Sequence, residues 1–466
     1  MFDRATVGLL FFCLAMLTFT GCHGFNGEKI RREHAENYRQ LLDQRTEEIL
    51  SDGAPLTLEN CLVIALQNNL DVRVAEVQQR VAELNRKVSF SLFLPKINLN
   101  YDYVRWDPQP KIKFGGNAIA MHDERIREIT FEAQVSILNP ATWFLYSMHT
   151  RGEEIAELVT EYTEQITILE ITALYFHCLS LQQLEGVLES QLDAIEALQK
   201  EMNAFFEEGL VSNWQVKQVE VMVSAQRLEF DKTHRAIEQV KAELLMAMGL
   251  SPLAEFSLVN QAPLKAPTES LEHLILEALI SNPRLQISDR EVAIEQEKVK
   301  TAITDFLPVL IGFAGRTNTS DSFQKYTTYW TTGLSGALSL FDGFANINEY
   351  KAAKERKKDA YIRREQATLT LMVEVIRAHL SLKTAGQEME LASMNLDASI
   401  KHWNQIKQKW DEGMINSSEM LQVTAEREQA VMQVINTRFQ YQVCIATLLN
   451  VIGKTNTQIE EEKNEE

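Results

Sequence analysis

Apolar residues recur at three- and four-residue spacing along most of the chain, and in four short stretches that rhythm gives way to alternation. From Pro140 to Phe206 the only Gly are Gly152 and Gly186, and Leu181, Leu184, Leu188, Leu192, Ile195, Leu198, Met202 and Phe205 mark one helical stripe. Ala345 to Glu412 repeats the pattern through Leu369, Val373, Ile376 and Leu380, then Ile400, Trp403, Ile406 and Trp410. At a rise of 1.5 Å per residue, each stretch predicts a rod on the order of 100 Å. Runs this long imply coiled-coil packing against other helices. An opening helix from Thr57 can continue without Pro or Gly to about Phe93, where Pro95 stops it. A closing helix follows at about 214–249. The opening and closing helices together match the length of one rod, so each long helix is expected to pack beside two shorter collinear ones.

Beyond Pro95 the period becomes two. Ile97, Leu99, Tyr101 and Tyr103 alternate with Asn98, Asn100 and Asp102, and Ile129, Phe131, Ala133, Val135 and Ile137 with Thr130, Glu132, Gln134 and Ser136. A third strand starts at Val309, Ile311 and Phe313. A fourth sets Trp330, Thr332, Leu334, Gly336, Leu338 and Leu340 against Thr331, Gly333, Ser335 and Ser339. Strands of about ten residues are the length that crosses a bilayer when tilted. Tyr101, Tyr103, Trp106, Tyr326, Tyr329, Trp330, Trp143 and Phe344 gather near the strand ends, as an aromatic girdle would. The segment from Asp107 to Arg127 reads as the longer connecting loop and Asp321 to Thr327 as the shorter.

The whole pattern occurs twice. Ala65-Leu66-Gln67-Asn68-Asn69 is answered by Ala278-Leu279-Ile280-Ser281-Asn282, and Phe93-Leu94-Pro95 by Phe306-Leu307-Pro308, both 213 positions on. Glu208-Gly209-Leu210-Val211 is answered by Glu412-Gly413-Met414-Ile415. A unit this large is a duplicated half rather than a solenoid repeat. The expected organisation is a signal peptide at 1–22, an extension at 23–55 with a helix from about Glu28 to Leu50, a first repeat at 56–250, a linker at 251–268, a second repeat at 269–453 and an acidic tail at 454–466.

Composition narrows the class. A net charge of −19 speaks against a nucleic-acid groove, which needs basic patches. Arg4 precedes an apolar run from Val7 to Phe19, followed by Thr20-Gly21-Cys22, a pattern of export. Cys22 is either a lipid-attachment site of lipobox type or a residue flanking ordinary signal cleavage. Cys61, Cys178 and Cys444 are scattered in apolar helical surroundings and read as small buried hydrophobes. The histidines are dispersed, and no sequence motif for a metal, a cofactor or a catalytic constellation stands out. Four strands cannot close a membrane barrel, and open edges in hydrocarbon leave backbone groups unsatisfied, so more than one copy is required. Two copies supply eight strands, which side chains fill; three supply twelve, which enclose a lumen.

The order, spacing and duplication of these marks resemble the TolC-type outer-membrane efflux proteins over about residues 56–453. The marks are Leu56-Thr57-Leu58-Glu59 with Ala65 to Asn69, Phe93-Leu94-Pro95-Lys96-Ile97, Leu338-Ser339-Leu340-Phe341-Asp342-Gly343 and the two Glu-Gly turns. The resemblance implies a mainly α fold with a four-strand β contribution. It further implies a homotrimer with a shared twelve-stranded transmembrane barrel and a periplasmic coiled-coil barrel. Such a duct docks a periplasmic adaptor and an inner-membrane pump, and the lipobox suits lipid-anchored members. The turns Gly209, Leu210, Val211 and Gly413, Met414, Ile415 would form the adaptor-docking surface, with Asn213 or Ser417 capping the next helix. Glu419, six positions past Gly413, would sit in the periplasmic aperture, or else be a solvated helix carboxylate. Gln422 stands where the family often has a second carboxylate, and Ile415 where it often has Arg. A lipid-anchored periplasmic scaffold without a pore is the alternative reading; it keeps the long helices but has no use for four aromatic-ended strands.

Overall fold

The structure, a computed structural model, describes residues 26–50, 53–260, 262–412, 414–415 and 417–454. The expectations for the signal peptide, for Cys22, for Gly413 and for residues 455–466 lie outside the described residues. Helix α1 (Gly27–Ile49) precedes the first repeat and docks through its last turns: the Ser251 N–H donates to Thr46 Oγ1 at 2.8 Å and Ser251 Oγ to Asp43 Oδ1 at 2.8 Å.

Each long stripe is one unbroken helix. Helix α4 (Pro140–Glu207) has 68 residues and α8 (Ala345–Asp411) has 67, so each rod is about 100 Å long. The closing helices are α5 (Asn213–Ala247) and α9 (Ser417–Ile452). The opening segments differ from expectation. Instead of one helix to Phe93, the first repeat has α2 (Leu58–Asn68) and α3 (Leu70–Phe90), followed by a 3-10 turn at Ser91–Phe93. The second repeat likewise has α6 (Leu271–Ser281) and α7 (Pro283–Thr304).

The break has a specific cause. Asn69 leaves helical geometry, and its side-chain oxygen accepts from the N–H groups of Asp71 and Val72, which caps α3. Its amide nitrogen donates to the carbonyl of Ala247 at 2.8 Å, closing the end of α5. Asn282 repeats the device: it accepts from Arg284 N–H and donates to the Val451 carbonyl at 2.9 Å. One asparagine thus satisfies orphan groups at the ends of two helices, and the repeated Asn is a joint between the opening and closing helices.

The cores lie at these joints. Leu58, Cys61, Leu62 and Ala65 of α2 pack with Ile168, Ile171 and Tyr175 of α4 and with Leu244, Leu245 and Met248. Tyr175 is fully buried, and its hydroxyl donates to the Val259 carbonyl at 2.6 Å, tying the linker to the first core. The second core repeats this with Leu274, Ala278, Val375, Leu382, Ile445, Leu448 and Ile452. Burying each such aliphatic side chain contributes roughly 1.5–3 kcal/mol. The halves are joined by Asn450 Nδ2 donating to the Gln165 carbonyl at 2.9 Å, and by Arg290 Nε with Glu154 Oε2 at 3.2 Å.

At the other end of the long helices stand β1 (Lys96–Arg105), β4 (Arg125–Leu138), β5 (Val309–Thr319) and β6 (Thr328–Ala337). They form one antiparallel sheet in the order β1-β4-β5-β6, so the two halves meet at β4–β5. The long connecting segment is not a simple loop: it holds a hairpin of β2 (Lys111–Phe114) and β3 (Asn117–Ala120). Strand β6 ends at Ala337, so Ser339 lies beyond it.

A two-faced sheet and a helical tip

Register sorts the sheet into two faces. Asn98 pairs with Glu132, Asn100 with Thr130 and Lys96 with Gln134; across the next ladder Glu132 meets Gly315, and Ser335 meets Ile311. Asn98, Asn100, Asp102, Thr130, Glu132, Gln134 and Ser335 therefore share a face, as alternation predicts. The third strand departs from it: Ile311 and Phe313 belong to this polar face, with Phe313 lying over Gly333. The cause is the ladder to β4, which fixes parity where Leu310, Gly312 and Ala314 leave the sequence pattern two-sided.

Ile97, Leu99 and Tyr101, with Phe131, Ile129 and Leu334, occupy the other face. Its large apolar side chains are open, Leu99 being 71% exposed and Leu334 74%; on the polar face Thr317 is buried, while Asn98, Asn100 and Asp102 are exposed. A sheet that exposes its hydrocarbon face requires a cover, because large contiguous apolar patches are not left in water. Tyr101, Tyr103 and Trp330 mark the end far from the helices, while Trp143, Phe341 and Phe344 mark the helix end. Tyr329 falls with Thr317 on the polar face. No described helix is long and apolar enough to cross a membrane.

The connections at the far end are latched. Asp321 Oδ2 accepts from the His122 Nδ1 at 2.7 Å, and Oδ1 accepts from the N–H groups of Asp123 and Phe323. Trp106 stacks on His122. Burial pulls the Asp321 carboxyl upward, but the hydrogen bonds from His122 and the two backbone amides outweigh it and hold the carboxyl below its ordinary range. A depressed carboxyl contributes stability that is present above the ordinary carboxylate pKa, about 4, and is lost as pH falls through the lowered value. Asp321→Ala is therefore expected to speed amide exchange at Asp123 and Phe323 by roughly tenfold or more at neutral pH. The protection of these amides in the wild type should fall to that of the variant only in strong acid; unchanged exchange in the variant would remove the latch.

At the opposite end, Gly209 has a φ of +74° and terminates α4, with Leu210 N–H returning to the Phe205 carbonyl at 2.8 Å and Gly209 N–H to Phe206 at 3.0 Å. Ser212, not Asn213, caps α5 in a capping box with Gln215. Leu210 is exposed and Val211 half-buried. Beside them Trp214, Phe205 and Phe206 are exposed, an aromatic cluster that turn residues alone did not foretell. In the second turn Met414 N–H returns to the Lys409 carbonyl at 2.9 Å; Met414 is exposed and Ile415 half-buried.

Glu419 stands exposed in the first turn of α9. One turn on, Gln422 donates to Glu426 Oε1 at 3.0 Å, and Glu426 lies 3.8 Å from His402 Nδ1 on α8. Above this, Arg427 lies 4.4 Å over the Trp403 ring, whose Nε1 donates to Thr424 at 3.1 Å. The tip helices are thus tied by a cation–π and hydrogen-bond ladder. Burial pushes the Cys61 thiol up to about 12 and the Cys178 thiol to about 11, so both stay protonated inside the helical body.

Two duplicated helical rods carrying a four-strand, inside-out sheet define the fold of an outer-membrane channel protomer. The Campylobacter jejuni CmeC outer membrane channel matches over 87% of this chain and 89% of its own, with a TM-score of 0.75 at 18% identity. The Neisseria gonorrhoeae MtrE outer membrane channel, in its open state, matches over 85% and 88% with a TM-score of 0.72 at 15% identity. Residues 274–454 match the family described as outer membrane efflux protein. The outer membrane efflux protein BepC of Brucella suis biovar 1 (strain 1330) is 25% identical over 199 residues. That alignment spans 42% of this chain and 42% of BepC, less than half the length of that relative. The family match falls on the second repeat.

Proposed function

We propose that this protein is the outer-membrane channel of a tripartite efflux or type I secretion system, a passive duct from periplasm to exterior. The observation that carries this reading is the sheet, one face of which is apolar yet exposed and the other polar, standing on rods of about 100 Å. Its edges are β1 and β6. In hydrocarbon, edge N–H and C=O groups cost several kcal/mol each unless paired. Joining β6 of one copy to β1 of the next closes a ring, and three copies give twelve strands around a water-filled lumen. Asp102, Glu128 and Glu132 would then line the lumen. The rods continue it as a helical tube that ends at the two turns.

Gly209, Leu210, Val211, Gly413, Met414 and Ile415 present those turns to a periplasmic adaptor, which in turn engages an inner-membrane pump. Three Glu419 carboxylates around the aperture, with Gln422 one turn deeper, would raise local cation concentration and repel anions. Acylated Cys22 would anchor the protomer in the inner leaflet of the outer membrane. The halves act as the first repeat, 56–250, and the second, 269–453, joined by the 251–268 linker.

Single-channel recording of the detergent-extracted protein in a planar bilayer tests this. Stable conductance with cation preference, weakened in Glu419→Ala, is expected. Conductance unaltered by the substitution would retain the duct and return Glu419 to the solvated surface. No current from a folded oligomer, even after deletion of the tip turns, would leave a lipid-anchored scaffold in its place.

A further inference from the structure

The four-stranded sheet carries eight charged side chains, and all three carboxylates fall on one face. Arg105, Arg125, Arg127 and Arg316 have the parity of the apolar face, since Arg105 pairs with Arg125, Tyr103 with Arg127 and Phe131 with Arg316. Asp102, Glu128 and Glu132 have the opposite parity, on the polar face with Lys96. In a chain of net charge −19, a surface on which every strand charge is cationic stands out from the average.

Three of the four arginines also share a height. Arg105, Arg125 and Arg127 stand at the sheet end far from the helices, Arg127 in the row of Tyr103 and Arg105 with Arg125 in the next row of that face. All three are exposed. Glu124 is their one nearby carboxylate among the described residues, 3.6 Å from Arg105 and 3.9 Å from Arg125. It offsets one charge of three. Arg316 lies two rows deeper, over the Trp330 ring at 5.9 Å. This cluster continues the apolar band upward, so whatever covers Leu99, Ile129 and Tyr101 places its own head group against the guanidinium groups.

We propose that Arg105, Arg125 and Arg127 form a docking site for the phosphate groups of a phosphorylated glycolipid of the outer leaflet. The inference rests on the membrane reading of the sheet given above. A guanidinium fork donates to two phosphate oxygens at once, and three forks in adjacent rows suit a head group bearing more than one phosphate. The acyl chains lie along the apolar face below, and Tyr101 and Tyr103 sit at the boundary between chain and head group. The same sheet thus presents a cationic collar to lipid and an anionic wall to the lumen.

The test uses the delipidated, detergent-extracted full chain in its assembled form. It is titrated with bisphosphorylated lipid A, with dephosphorylated lipid A and with inorganic phosphate, and bound lipid is read by native mass spectrometry. Wild type should hold bisphosphorylated lipid A roughly 10–100-fold more tightly than the R105Q/R125Q/R127Q variant does, and dephosphorylated lipid A no better than that variant. R105K/R125K/R127K keeps the charge without the fork and should fall between them; should the glutamine variant not assemble, binding by the lysine variant weaker than wild type supports the proposal in its place. Equal retention of lipid A by wild type and the variants would overturn the proposal. So would equal binding of the dephosphorylated lipid, or displacement by inorganic phosphate at matched concentration, which would mark a free-anion site. Conductance is recorded on the same preparations. A conducting wild type indifferent to lipid phosphate sinks this inference alone, whereas a silent wild type that holds lipid A sinks the channel reading alone.

Discussion

Gly249→Ala is expected to destabilise the helical body by about 3–5 kcal/mol, combining left-handed strain with a steric clash. Gly249 has a φ of +71° and ends α5 in a paired-bond cap, with its N–H on the Met246 carbonyl and that of Leu250 on Leu245. A Cβ there would stand 2.2 Å from the backbone oxygen of Asn68, which no rotamer change can relieve. The joint made by Asn69 and Ala247 would be pushed apart with it. Gly453, its counterpart in the second repeat, is a built-in control. Its φ is +79°, but the nearest atom to a new Cβ is the Ser281 oxygen at 3.1 Å. Gly453→Ala should therefore cost only about 1–3 kcal/mol, the strain alone. Denaturant midpoints followed by helical circular dichroism would separate the two. Equal losses would mean that the close approach at Asn68 does not matter and that both effects are conformational.

That joint also shows what a sequence reveals of such a fold. The long helices were legible because sixty-odd residues of three-and-four spacing admit no competing pattern. The break at Asn69 was not, since a helix continues through Asn at modest cost and nothing local announces the carbonyl of Ala247, 178 positions away. Pro283 was the visible hint: a Pro at the first helical position after Asn282 is a start signal. The hairpin of β2 and β3 had its signal too, in Gly115-Gly116 with φ of +58° and +91° between two short runs. Parity in β1 and β4 could be read directly from alternation, whereas in β5 it was decided by pairing with β4. At the tip, the turns were legible from Glu-Gly. The Trp403–Arg427 contact was not, because it joins two helices whose relative rotation no periodicity specifies.

A lysine placed at Ile97 should abolish the assembled channel, while one at Asn98 should not. Ile97 pairs with Ala133 on the apolar face and is 62% exposed; Asn98 pairs with Glu132 on the polar face. A Lys facing hydrocarbon near mid-band costs about 2–4 kcal/mol, and closing three copies into one ring multiplies that cost threefold. Arg316 shows how this face tolerates a cation, by lying over Trp330 one row nearer the far rim. Ile97 has Ala133 directly opposite. Asn98→Lys instead enters a watered lumen beside Glu132, where it should leave the oligomer intact and shift selectivity toward anions. Heat-resistant oligomer on a semi-native gel, together with bilayer conductance, reads both variants. A scaffold without a pore predicts the same mild outcome for each, because both positions would face water. Opposite outcomes one residue apart require that the two faces of β1 meet different solvents, and a membrane barrel is the arrangement that supplies them.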